Sequence, residues 1–177
     1  MNGAAYSGGA NQSASALQGR IEDHFITQGY RLSTKHSIGN AIYQYAEPSG
    51  MRVDILGSSP RYQQLSDQAQ IVLLENTLSN INTIESNAFK LLDAAYFGRD
   101  SEIATLLSLE QICDDPLIVE ELMQTLYEEP AQEIALSLSN YLTEGKKAFA
   151  VIDVKYLVFT NSVIEHLQAL GYTVTRH

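Results

Sequence analysis

The closing segment of this chain constrains its fold more than any other part. Phe149 to Val174 reads FAVIDVKYLVFTNSVIEHLQALGYTV. It opens on a near-continuous apolar run, the pattern of a strand buried on both faces. Val163, Leu167 and Leu170 then recur at i, i+4 and i+7, which predicts a short amphipathic helix. Gly171 supplies the stop, because glycine takes the left-handed conformation after a helix at little cost. Tyr172 and Val174 alternate onto one face of a final strand. The chain therefore predicts a terminal strand–helix–strand unit.

The preceding residues extend this to a helix-rich α+β fold. Ala41–Ala46 and Met51–Leu56 read as two strands of a hairpin, with Pro48, Ser49 and Gly50 between them. From Arg61 to Glu144 the pattern is helical. Ile71, Leu74, Leu78 and Ile81 make one apolar stripe, and Ile84, Ala88, Leu91, Leu92 and Ala95 the next, ended by Gly98. Asp67 and Gln70 have capping-box spacing. Asp115 predicts an N-cap with Pro116 at the first helical position, and Glu129-Pro130 predicts a break that starts another helix. The expectation is a small mixed sheet of about 4–5 strands packed with about 6–7 helices. Ala16–Gln28 predicts one further helix. Residues 1–15, rich in Gly, Ala, Ser, Asn and Gln, predict a disordered tail before a single domain over 16–177.

The closing register resembles the TraB/PrgY/GumN/Tiki-like family. There a hydrophobic strand ends in Gly-x-x-His-Leu, a helix follows, and a Gly-Tyr-x-Val strand closes the domain. Leu157, Gly171, Tyr172 and Val174 match, while the Gly falls on Asp153 and the His on Tyr156. Upstream, Val53–Leu56 resembles the family's Leu-Glu strand, with Gly57 in the place of the Glu. Gln70, Leu73 and Leu74 approximate its Gln-x-x-x-Leu-Leu pattern one residue short, Gly98 and Asp100 approximate its Gly-Asp, and Glu129 and Pro130 replace its Arg-Asn. The resemblance covers roughly residues 51–177, and the family's first Gly-x-x-His has no counterpart in this sequence. It implies a relative of metal-dependent hydrolases or peptidases whose His and Glu ligands are replaced here. A catalytic metal needs two or three N/O ligands and an open position for water. Tyr156 is a poor substitute for imidazole because a phenol stays protonated near neutral pH, and Lys155 beside it repels a cation. Gly57 offers no ligand. No catalytic residue, metal ligand or cofactor is therefore expected at Asp153, Tyr156 and Gly57.

Net charge narrows the partners. Eleven basic residues against 21 acidic ones give −10, with no basic run, which argues against nucleic acid and anionic membranes. No apolar stretch approaches the ~20 residues of a membrane span, and the N-terminus lacks the basic and apolar regions of a cleaved signal. A single cysteine, Cys113, excludes an internal disulfide and points to a reducing cytosol. The composition of residues 1–15 also resembles the uncleaved signals of secreted bacterial effectors. The four histidines, His24, His36, His166 and His177, lack ligand spacing and read as ordinary residues. Acidic pairs Asp114-Asp115 and Glu128-Glu129 read as charges complementing helix N-termini.

Ten tyrosines and no tryptophan are the remaining feature. Tyr43, Tyr45, Tyr62 and Tyr156 are candidates for a binding surface, since tyrosine offers a large contact area with a polar handle. Packing of the hairpin tyrosines under the helices is the competing reading. The functional expectation is a catalytically inactive protein-binding domain, effector- or toxin-related. A divergent metal-dependent hydrolase and an acidic secretion chaperone or immunity protein for a basic client are the alternatives.

Overall fold

The computed structural model describes residues 38–57, 61–143, 145 and 147–176. The helices among them are α1 (Ile38–Ala46), α2 (Asp67–Ser79), α3 (Ile84–Tyr96), α4 (Asp100–Leu107), α5 (Pro116–Met123), α6 (Glu129–Thr143) and α7 (Val163–Ala169). Short 3₁₀ turns span Tyr62–Gln64 and Val154–Tyr156. Among the described residues there is no strand, so the expected α+β fold with its 4–5-stranded sheet is not what forms. The helix expected over Ala16–Gln28 and the tail over 1–15 lie outside the described residues.

The reasons are local. Ala41–Ala46, read as a strand, belongs to α1. Ile42 and Ala46 are four apart, one turn of a helix, and Ala46 is the buried one. Its end is a tight turn, with the Met51 N–H on the Ala46 carbonyl at 3.1 Å and Gly50 at φ +67°. Met51–Leu56 and the run from Lys147 to Asp153 are irregular and lack ladder partners. A strand is stabilised by its cross-strand neighbours, so an apolar run alone does not make one. The expected C-terminal strand–helix–strand unit becomes an irregular run, a 3₁₀ turn, α7 and a tail from Tyr172 that carries no ladder.

The longest feature is a helical rod from Pro116 to Thr143. The break expected at Glu129-Pro130 is absent. Gln124–Glu128 instead forms a π turn, with the Glu129 N–H donating to the Gln124 carbonyl five residues back. A proline ring strikes the carbonyl four residues back in a regular α-helix, and the wider turn gives it room. Caps frame the elements. Asp115 accepts from the Leu117 N–H at 3.0 Å with Pro116 behind it, as the sequence predicts. Ser66, not Asp67, caps α2, and its own N–H and hydroxyl donate to Glu121 of α5 at 2.5 and 2.8 Å. Ser162 caps α7 through the Glu165 N–H.

The rod carries both cores. Its α5 end packs Ile118 and Leu122 against Leu65, Ala69 and Leu73, with Cys113 at the margin in a structural position. The inward face of α2 is thus Ala69, Leu73 and Thr77, while Ile71 and Leu78 of the expected stripe are exposed. Its α6 end packs Ala131, Ile134 and Ala135 against Val163 of α7, with Leu56, Ile152, Tyr156 and Leu157 around them. Of the expected α7 stripe, Leu170 is 47% exposed. α3 and α4 pack together, and α4 meets the Val154–Tyr156 turn.

Candidate functional site at the helical bulge

Two clefts flank the π turn. The first, about 50 Å³, is lined by Arg61, Tyr62, Leu126, Tyr127, Pro130, Lys155 and Tyr156. Arg61 arrives on the segment before α2 and pairs with both Glu129 and Glu133, one turn apart on α6. Hydrogen bonding to Glu133 raises its pKa against the opposing effect of burial. Tyr127 projects from the π turn, packs edge-to-face on Phe159 at 5.0 Å and donates to the Leu107 carbonyl at 3.4 Å. Burial pushes its phenol up to about 12. For Lys155, burial is the largest single effect and opposes the charge, but Asp153, Tyr156 and Tyr62 together outweigh it and the net direction is upward. Its ammonium stands 5.0 Å from the centre of the Tyr156 ring.

The second cleft, about 180 Å³, is lined by Gln124, Glu128, Glu129, Gln132, Asn161 and His166. The Gln124 amide donates to Glu129 at 3.3 Å. Asn161 sits at φ +59° and its N–H donates to the Glu165 carboxylate at 2.7 Å. His166, read from the sequence as an ordinary surface residue, has its Nε2 sealed from solvent without a hydrogen-bond partner.

Of the four tyrosines proposed for binding, Tyr62 and Tyr156 meet in the first cleft. Tyr43 and Tyr45 are exposed on α1 instead, Tyr43 with its hydroxyl on Glu47 at 3.4 Å. Sequence reasoning missed Arg61, Tyr127, Glu128 and Gln132. The signal that could have found them is Pro130 inside an otherwise helical pattern, which requires an irregular turn at Leu126–Glu129.

Of the three positions that the resemblance aligns with the family's motif, Gly57 and Tyr156 pack beside α6 and Asp153 is exposed. Gly57 has φ +78°, and a Cβ there would lie 3.2 Å from Ile134 Cγ1. Tyr156 packs on the second core. Asp153 accepts from the Lys155 N–H at 3.2 Å and holds its ammonium at 3.3 Å. These three do not fit a catalytic metal: one has no side chain, one is a phenol against apolar carbon, and one is already neutralised. Among the described residues no three His, Cys, Asp or Glu side chains form a potential metal site, and no helix is long and apolar enough to cross a membrane.

The TraB/PrgY/gumN family model matches residues 40–176, and the chain belongs to this family. Among curated proteins and among solved structures, nothing matches.

Proposed function

We propose that this family member is catalytically inert at the motif positions and works as a protein-binding module. One observation carries the reading: Ile134 fills the space beside Gly57, and the second core with the Lys155 ammonium occupies the surroundings of Tyr156. A cation and apolar carbon beside these positions oppose metal binding there, which needs open donor atoms. The binding half of the proposal draws on exposed aromatic surface. Tyr96 is 84% and Phe97 63% exposed at the end of α3, stacked edge-to-face at 5.0 Å with Arg99 over Phe97. Exposed aromatic clusters of this kind are the anchors of protein interfaces. The surplus of acidic residues favours a basic partner rim. A bacterial effector role, with residues 1–15 as its uncleaved secretion signal, is the finer form of this proposal.

The test has two arms. Purified protein equilibrated with Zn²⁺, Mn²⁺ or Co²⁺ and dialysed is expected to retain no stoichiometric metal. Asp153→Gly combined with Tyr156→His is expected to behave the same, because Gly57 still supplies no second ligand. Stoichiometric uptake by either chain, or metal-dependent peptide hydrolysis, rejects the inert reading. A partner captured by the full chain is expected to be lost when Tyr96 and Phe97 are both changed to Ser.

A further inference from the structure

We propose that α3 joins two copies of this chain through an apolar stripe on its outer side, a partner assignment that rests on the reading of the Tyr96–Phe97 surface as a protein interface. The helix is apolar on two sides. Ile84, Ala88, Leu91 and Ala94 are its more enclosed residues, and Ala94 is fully buried. Phe89, Leu92 and Tyr96 share a different face, within about 60° of one another at about 100° per residue. Each of the three is more than half exposed. Phe97, stacked on Tyr96, continues this surface past the helix end. A surface helix normally sets polar residues away from its core face, so a second apolar stripe marks a docking surface.

The spacing of the stripe fits a second copy. Glu85, Phe89, Leu92 and Tyr96 follow at intervals of four, three and four, which read the same in both directions. Two α3 helices set antiparallel about a two-fold axis between Lys90 and Leu91 therefore place Phe89 of one copy against Leu92 of the other, and Glu85 against Tyr96. Each pair occurs twice, as an isologous interface requires. The chemistry matches across each pair. An aromatic ring packs on an aliphatic side chain, and a phenol donates to a carboxylate, which only accepts. Glu85 and Tyr96 are both exposed, and neither side chain makes a hydrogen bond among the described residues. The area suits a weak dimer. At these exposures three aromatic rings and one leucine offer roughly 500 Å² per copy, and about 1,000 Å² in all is the lower limit of a specific interface. Two chains of net charge −10 also repel, which weakens the pair further.

The test is sedimentation velocity of the purified full chain from about 1 to about 500 µM, with no other protein present. A reversible monomer–dimer equilibrium with a Kd of about 10–100 µM is expected. Leu92→Glu is expected to weaken it at least about tenfold. Its melting temperature at about 2 µM, where the chain is monomeric, is expected to stay unchanged, because Leu92 lies outside both cores. Charge exchange reads the register. Tyr96→Glu sets two carboxylates together in each pair and is expected to weaken the dimer about tenfold. Adding Glu85→Lys is expected to restore most of that loss, since a lysine then faces each new glutamate. A dimer that Leu92→Glu leaves intact, or that Glu85→Lys fails to restore, overturns the proposal. So does a chain that stays monomeric to about 500 µM, whether it captures a different protein through Tyr96 and Phe97 or covers the stripe with its own residues 16–28. Self-association is read without any other protein, so its failure is separable from failure of the partner-capture arm.

Discussion

Gly57→Ala tests whether the motif segment really seats on α6. At φ +78° an L-residue costs about 1–2 kcal/mol, and the smaller unfolded-state entropy of alanine returns about 0.4–1 kcal/mol. The new Cβ also lies 3.2 Å from Ile134 Cγ1 and 3.8 Å from Cδ1. Ile134 is a buried member of the second core and has little room to yield, so overpacking adds about 1–2 kcal/mol. The sum is about 1–3.6 kcal/mol, centred slightly above 2. Gly50→Ala is the control, because Gly50 has φ +67° and a Cβ added there meets nothing within 4 Å. It carries the conformational cost alone, about 1 kcal/mol. Urea midpoints at constant slope read both values. In an Ile134→Ala background, itself costing about 2–5 kcal/mol, the excess of Gly57→Ala over Gly50→Ala is expected to vanish. Equal costs for the two glycine variants in the wild-type background refute the contact, and with it the seating of this motif position on the second core.

Leu122→Ala removes a side chain with no exposed surface from the middle of the first core. The expected loss is about 3–4 kcal/mol by urea unfolding, and a loss below about 1 kcal/mol shows that this core is not packed as described. Tyr127 predicts a pH dependence of stability. Its folded pKa of about 12 lies above the ordinary 10.0, so the folded chain keeps a proton that the unfolded chain releases. The benefit is complete below about pH 10 and is lost as pH rises to about 12, worth about 2–3 kcal/mol. Tyr127→Phe is expected to remove that part of the slope between about pH 9 and about pH 12. An identical slope in the two proteins rejects the buried phenol.

The helical stretch is legible in the sequence because caps and stops are short-range. Asp115-Pro116, Gly98, Gly145 and Gly171 act where the sequence puts them, the three glycines at positive φ. The expected sheet fails because strand formation depends on neighbours that a local pattern does not contain. The apolar run around Val151 has β-branched residues and no ladder partner among the described residues. The buried face of α2 escapes a sequence reading for a related reason. A stripe through Ile71 and Leu78 and one through Ala69, Leu73 and Thr77 are both available on that helix, and docking against Ile118 and Leu122 selects the second. The site is half legible. Residue type and the resemblance point to Tyr62 and Tyr156, but their meeting with Arg61, Tyr127 and Lys155 is a product of tertiary packing.

The continuity of the rod changes what its acidic residues do. With a break at Pro130, Glu128 and Glu129 would face a helix N-terminus, whose partial positive charge stabilises carboxylates within the first turn. In an unbroken helix they lie in mid-rod, where the backbone N–H groups are already engaged and that compensation is absent. A side-chain cation has to replace it. Arg61 does so for Glu129 and Glu133, tying the segment before α2 to α6. Glu128 stands outside that pairing and lines the second cleft with His166. The same proline that forces the π turn therefore leaves Glu128 on the second cleft without the compensation that a helix start would give it.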